Sequence, residues 1–237
     1  MTENNIYAAP TSDLSPDRSF PATRRRTIDE AIEERYDFSV SDTISESFGA
    51  ISGLKMPVFL ASLLLFAISF VVGIIIAFLP ETAGAGVEFG LNVIISALGG
   101  GYYVYTLNHL RGRGELTIES FFSISTILST LILIEFIVWV LGIIGIILLI
   151  LPGIYILVAL SFASVIAVDN PELGTVKSIA ASFKLVNKQW FKVFLLELLL
   201  WIIVLISAIP FGIGLIWTIP MYLLAKTIVY RKMIAEA

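Results

Sequence analysis

Polar and apolar positions along this chain are not interleaved; they fall into long separate blocks, and block length is the main structural signal. From Met56 to Pro80 no charged residue occurs. About 20 consecutive apolar residues cross the hydrocarbon core of a bilayer as a helix, so 56–80 is predicted as a first span. A second covers 89–110, interrupted by Gly99-Gly100-Gly101. The next block runs from Ile124 to Val168 and is apolar apart from Glu135. It is too long for one span and suits two, 124–150 and 153–168. Their turn is placed near Leu151-Pro152-Gly153, with Gly142 and Gly145 as the alternative break. The last block, Val193 to Val229, divides at Pro210-Phe211-Gly212 into spans 191–209 and 212–230.

Residues 1–40 are polar and read as a disordered tail. A short helix is predicted at 28–35, because Thr27 followed by Glu30 has the capping-box spacing. Residues 41–230 then form a six-span membrane domain, and 231–237 a short cytoplasmic C-terminus. The first 55 residues hold no apolar run like a signal-peptide core, so no cleavage is expected.

Composition agrees. The chain is 57% hydrophobic and 14% charged, against about 25% charged in soluble domains. Its mean hydropathy is +0.93. The net charge of −4 gives no reason to expect a nucleic-acid partner. The absence of cysteine excludes disulfides, Cys-ligated metal and thiol chemistry.

The 15 basic residues give an orientation. Arg18, Arg24, Arg25, Arg26, Arg35 and Lys55 precede span one. Arg111 and Arg113 follow span two. Lys177, Lys184, Lys188 and Lys192 separate spans four and five, and Lys226, Arg231 and Lys232 end span six. None is left for the loops after spans one, three and five, and the first of these carries Glu81 and Glu88 instead. Six spans with both termini in the cytoplasm put every basic residue on one side. The Arg24-Arg25-Arg26 cluster fits this bias. As an anionic-lipid contact it is weak beside its neighbouring acids.

The chain also resembles itself. Ile44-Ser-Glu-Ser-Phe48 precedes span one, Ser120-Phe121 precedes span three, and Ile179-Ala-Ala-Ser-Phe183 precedes span five. Fifteen residues beyond Ser120 and Ser182 stand Glu135 and Glu197, the two acids inside predicted spans. Trp139 and Trp201 follow four residues later. Ser62 and Phe66 hold the corresponding places in the first unit. The expected fold is therefore an all-α polytopic bundle of six helices, built as three repeats of an amphipathic interfacial helix plus a helical hairpin. In the third interfacial helix Val176, Ile179, Phe183, Val186 and Trp190 form one stripe, and Lys177, Lys184 and Lys188 lie off it. Those lysines and Lys192 are candidate contacts to anionic headgroups.

The stretch from Leu151-Pro-Gly-Ile-Tyr through Val168-Asp169 to Lys188-Gln-Trp-Phe-Lys192 resembles a broad group of bacterial six-span inner-membrane proteins of unknown function. The group includes the YciC-like proteins and the membrane domain fused to some glycerophosphodiester phosphodiesterases. The resemblance covers about residues 150–200, and the N-terminal Asn5-Ile-Tyr-Ala-Ala-Pro10 is similar to a leader seen on small bacterial membrane proteins. It implies a six-span fold in a bacterial inner membrane and supplies no catalytic residue.

Glu135 and Glu197 are the candidates for chemistry. An ionised group at mid-bilayer costs roughly 2.5–3.5 kcal/mol on insertion scales, so it needs a partner or water. Lys226 lies five residues before Arg231, as Glu197 lies five beyond Lys192. On antiparallel neighbours these are equal depths, so Lys226 is the expected partner of Glu197. For Glu135 the expected donors are Tyr102, Tyr103 or Tyr105, or its own proton; a mutual approach of the two glutamates is the other option. The lone His109 reads as an interfacial anchor, and Gly99-Gly100-Gly101 as a close-packing site or kink. No catalytic motif, metal site or cofactor site is present in the sequence. The expected role is a non-catalytic integral membrane protein binding lipids or another membrane protein. The alternative is a small transporter or channel using Glu135 and Glu197 as proton or cation sites. A lipid-modifying enzyme, carried only by the phosphodiesterase connection, ranks third.

Overall fold

The computed structural model describes residues 25–113, 116–209 and 212–234, and these are helical with no strand among them. The chain first forms α1 (Ile28–Glu33) and α2 (Val40–Gly49). At the start of α1 the Glu30 N–H donates to Thr27 Oγ1 at 3.3 Å, and the Thr27 N–H donates to Glu30 Oε2 at 2.8 Å. This reciprocal cap holds a helix that is too short to persist alone.

The described part of the N-terminal segment is docked rather than disordered. Ile28, Ala31, Tyr36 and Phe38 are buried. The Arg26 N–H donates to Ile234 O at 2.7 Å, and Tyr36 Oη donates to Leu185 O at 3.1 Å. Polar composition concealed these few apolar side chains, and tertiary contact supplies what the local sequence lacks. Residues 1–24 of the expected tail, and 235–237 of the expected C-terminus, lie outside the described residues.

Three helical hairpins follow. The first joins α3 (Lys55–Ile76) to α4 (Glu81–Leu98), which continues past Gly99 as α5 (Gly100–Leu110). The glycine run is both a break and a close approach. A Cβ on Gly100 would meet Leu131 Cδ1 at 2.7 Å, and one on Gly101 would meet Phe121 O at 2.7 Å.

In the second, α6 (Ile118–Phe121) and a 3₁₀ turn over 122–127 lead into α7 (Leu128–Leu148), which returns as α8 (Ile150–Leu160) and α9 (Ala163–Asp169). The turn is at Leu149, whose backbone is extended. It falls between the two breaks read from the sequence. Gly145 packs on Gly153 so tightly that a Cβ on Gly145 would lie 2.7 Å from the Gly153 Cα. Among the described residues no separate amphipathic helix precedes this hairpin. The chain there makes one α-turn and the 3₁₀ turn, with buried Phe121 wedged against Tyr102, Tyr105 and Phe122.

The third has α10 (Gly174–Asn187) before α11 (Trp190–Ala208) and α12 (Leu215–Ile234). The protein-facing side of α10 is Ser178, Ala181, Ser182, Leu185 and Val186, while Val176 and Phe183 of the apolar stripe are exposed. Ser182 bridges the α8–α9 break: its hydroxyl donates to Ala159 O at 2.9 Å and accepts from the Phe162 N–H at 3.2 Å.

Five helices are long and apolar enough to cross a membrane: Lys55–Ile76, Gly84–Leu110, Ile118–Leu148, Ile150–Asp169 and Trp190–Ala208. They differ from the predicted spans chiefly at their ends, most in the third, which begins at Ile118 rather than 124. The remaining predicted span, 212–230, corresponds to α12, which carries Lys226, Arg231 and Lys232. It packs against α2, α3, α5 and α11 and is buried along most of its length. A helix enclosed by protein is not required to be uniformly apolar. The outer α3, by contrast, buries only Val58, Ala61 and Leu65.

Candidate functional site

Charge inside an apolar bundle is placed by the hairpin that carries it. Lys226 on α12 and Glu197 on α11 are both buried, and Lys226 Nζ lies 3.0 Å from Glu197 Oε1. The pair is enclosed by aromatic rings. Tyr222 Oη donates to Glu197 Oε2 at 3.0 Å. Lys226 Nζ is 5.3 Å from the Phe162 ring centroid and 5.6 Å from that of Tyr222. Such faces attract a desolvated cation. Trp201 stands edge-on to Tyr222 at 6.0 Å and covers it from outside the bundle. Glu197 Oε1 has Lys226 as its ion partner but no aligned hydrogen bond.

Glu135 on α7 is half-buried and accepts from Ser164 Oγ at 2.6 Å. Ser164 is not among the donors expected for it. Tyr102 Oη is paired with Ser62 Oγ at 2.9 Å, and Tyr105 Oη donates to Thr117 O at 2.9 Å. Tyr103 is in hydrogen-bonding reach of Lys226 and within electrostatic reach of both Glu197 and Glu135. Trp139 is exposed on the outer surface. Ser164 follows Glu135 by 29 residues, the same separation by which Lys226 follows Glu197. That spacing is a signal the sequence carries, although a serine gives it no charge or hydropathy mark.

A second polar cluster ties the ends of three helices to the N-terminal segment. Arg111, which caps α5, donates from Nη1 and Nη2 to the Asp169 carboxylate at 2.6 and 2.8 Å. Tyr230 Oη donates to Asp169 Oδ2 at 2.8 Å, and Arg25 Nη2 pairs with the same oxygen at 2.9 Å. The Asp169 side chain is only 3% exposed. The hydrogen bonds to Asp169 hold the Arg111 guanidinium even further into its charged range. Neighbouring Asn170 accepts from Arg25 and donates to Tyr230 Oη at 2.9 Å. Arg231 Nη1 donates to Leu110 O at 3.1 Å, and Lys232 pairs with Glu46 at 2.9 Å. Sequence reasoning missed Asp169 because it sits at a helix end, where a lone acid reads as solvated.

Two of the lysines expected at headgroups also contact the N-terminal segment. Lys188 Nζ donates to Ala31 O at 2.9 Å and also to Glu34 O, and burial pushes its ammonium below the usual range. Lys192 pairs with Asp37, and its hydrogen bond holds that carboxyl below the usual carboxylate range. Lys177 and Lys184 are exposed. His109 is more than an anchor: its Nε2 is 2.8 Å from Ala50 O, clamping the turn between α2 and α3.

Among the described residues no three His, Asp or Glu side chains gather as a metal site would require. Two surface grooves border α2, one lined by Asp37, Phe38, Ser39, Val40, Lys192 and Leu195, the other continuing along α11 and α12. Neither is lined by Glu135, Glu197 or Lys226.

Apolar helices of membrane-crossing length packed around a helix with a buried ion pair define a multi-pass α-helical membrane protein. Within that class the chain belongs to the DUF975 family, proteins of unknown function, whose profile matches residues 115–237. The match covers the second and third hairpins. No curated protein and no solved structure matches the chain.

Proposed function

We propose that this protein is a non-catalytic integral membrane protein that binds lipid or another membrane protein. The observation that carries the reading is the closure of the Glu197–Lys226 site. The two charges neutralise each other, aromatic rings cover them, and neither groove beside α2 is lined by them. A transport site must exchange its ion with water; this one is packed.

The topology we infer has six spans, with α12 as the sixth, and both termini on the cytoplasmic side of a bacterial inner membrane. Support comes from the basic side chains that meet around Asp169 and the N-terminal segment, which join the ends of α5, α9 and α12 to the start of α11. We also infer three copies of one unit. The long helices α3, α7 and α11 begin at Lys55, Leu128 and Trp190, each eight residues after the serine of its Ser-Phe pair. The shared 29-residue spacing of Glu135–Ser164 and Glu197–Lys226 supports equivalence of the last two.

One observation favours transport as the second reading: Tyr103 lies near enough to Lys226, Glu197 and Glu135 to feel the charge of all three. Proteoliposomes carrying Glu135→Gln and Glu197→Gln variants separate the two. On the binding reading, proton and cation flux equals that of empty vesicles for wild type and variants alike. Flux that appears with the wild type and vanishes in both variants would overturn it.

A further inference from the structure

The two grooves beside α2 share Val40 and Leu195, so they form one continuous trench with a polar mouth and an apolar body. Their volumes are about 470 and 870 Å³. One wall is α11, where Lys192, Leu195, Leu199 and Ile203 recur at three- and four-residue steps along one face. The opposite wall is α2, with Val40, Ile44 and Phe48 four residues apart. Thr218 and Met221 of α12 form the floor. From Lys192 to Ile203 the trench is about 16 Å long at 1.5 Å per helical residue. That matches one leaflet, half of a hydrocarbon core about 30 Å thick.

The body of the trench is lined mainly by these apolar side chains, with the hydroxyls of Ser41, Ser45 and Thr218 among them, and a mainly apolar lining favours apolar contents over water. Within a bilayer the species at hand to fill it is an acyl chain. The mouth identifies the headgroup. Asp37 and Lys192 form an exposed ion pair, with side chains 73% and 41% exposed. Exposed pairs of this kind add little to stability, so this one opens at little cost. Opened, it presents a carboxylate for an ammonium and an ammonium for a phosphate, with the exposed Ser39 beside them. An anionic headgroup without an amine would meet Asp37 as a like charge.

We propose that this trench binds a glycerophospholipid with an amine-bearing, phosphoethanolamine-type headgroup, its phosphate at Lys192, its amine at Asp37 and one acyl chain along Leu195, Leu199 and Ile203. The proposal rests on the lipid-binding branch of the function proposed above and gives it an address.

The test is native mass spectrometry of the full-length protein, stripped in detergent and titrated with phosphatidylethanolamine or phosphatidylglycerol. Wild type is expected to retain one phosphatidylethanolamine per chain, at least tenfold more tightly than phosphatidylglycerol. Leu199→Trp and Ile203→Trp, which fill the trench, are expected to weaken retention about tenfold or more. Ile147→Trp, on an exposed apolar surface elsewhere, is expected to leave it unchanged and controls for folding. Exchange of the mouth charges for like ones, by Asp37→Lys, is expected to abolish the preference for phosphatidylethanolamine. Retention unchanged in both trench variants, or equal affinity for the two lipids, would overturn the site while leaving lipid binding intact. A wild type that retains neither lipid but crosslinks to a protein through Phe48 would also overturn it, and the protein-binding branch would survive. Absence of both, with glutamate-dependent flux, would overturn the site and the wider reading together.

Discussion

Lys226 Nζ lies 3.0 Å from Glu197 Oε1, with side chains 6% and 11% exposed, on the two arms of one hairpin. Breaking a buried pair leaves an uncompensated charge, which costs about 3–5 kcal/mol, whereas replacing both partners by neutral groups of similar shape is close to neutral. Lys226→Met is therefore expected to lower thermal stability in detergent sharply. Glu197→Gln with Lys226→Met should recover most of the loss. A double variant as unstable as the single one would mean that the pair is not the source of the effect.

Ser164 occupies toward Glu135 the position that Lys226 occupies toward Glu197. Ser164→Ala removes a hydrogen bond to a partly buried carboxyl and is expected to cost about 1–3 kcal/mol. Ser164→Lys should rebuild the third hairpin's pair in the second and be better tolerated than Ser164→Met, which has comparable length and no charge. Melting curves of the three variants check this order. If the methionine variant proves the more stable, the two hairpins are not equivalent at this position.

At the tip of the second hairpin, helix approach is set by two glycines. A Cβ on Gly145 would sit 2.7 Å from the Gly153 Cα, and the obstacle is backbone that cannot rotate away. Gly145→Ala is expected to destabilise by about 1–3 kcal/mol through overpacking. Gly86, which has nothing within 4 Å of its would-be Cβ, is the control, and Gly86→Ala should be neutral or slightly stabilising. Comparison of their detergent melting temperatures decides.

Asp169 is where the N-terminal segment meets the bundle, through Arg25, Arg111 and Tyr230. Asp169→Asn keeps the shape and removes the charge that two arginines share. Limited trypsin digestion is expected to cut at Arg24, Arg25 or Arg26 several-fold faster in this variant. Arg111→Lys should have a similar effect, because one ammonium cannot reproduce a two-point guanidinium contact. Unchanged cleavage would show that the segment is held by Tyr36 and Phe38 instead.

Particular residues mark how much of this was legible in the sequence. Glu197–Lys226 follows from depth, since helix rise is constant and antiparallel arms of one hairpin share their levels. Ser164 was hidden because a serine among apolar residues carries no hydropathy signal. The tyrosines were misassigned for a related reason. Tyr102, Tyr103 and Tyr105 are nearly adjacent in sequence but point around α5, so one meets Ser62, one meets Thr117 O and one meets the charged pair. That Lys188 and Lys192 also reach the N-terminal segment was not legible, because the position of that segment is set by tertiary contact.

By itself the sequence determined where the chain is apolar, the distribution of its charges and the recurrence of its serine-phenylalanine and glutamate positions. These follow from local properties, because a bilayer admits backbone only as helix or closed barrel, and continuous apolar runs of about 20 residues, without barrel-strand alternation, select helix. Tertiary structure decided the rest. It placed α12 in the middle of the bundle, where Lys226 is tolerable, and gave Glu135 a serine. It folded residues 25–40 onto α10 and α11, and left a trench between α2 and the last hairpin. Each of these depends on which faces of different helices meet. Lipid tails and apolar side chains are alike to a hydropathy scale, so only packing distinguishes them.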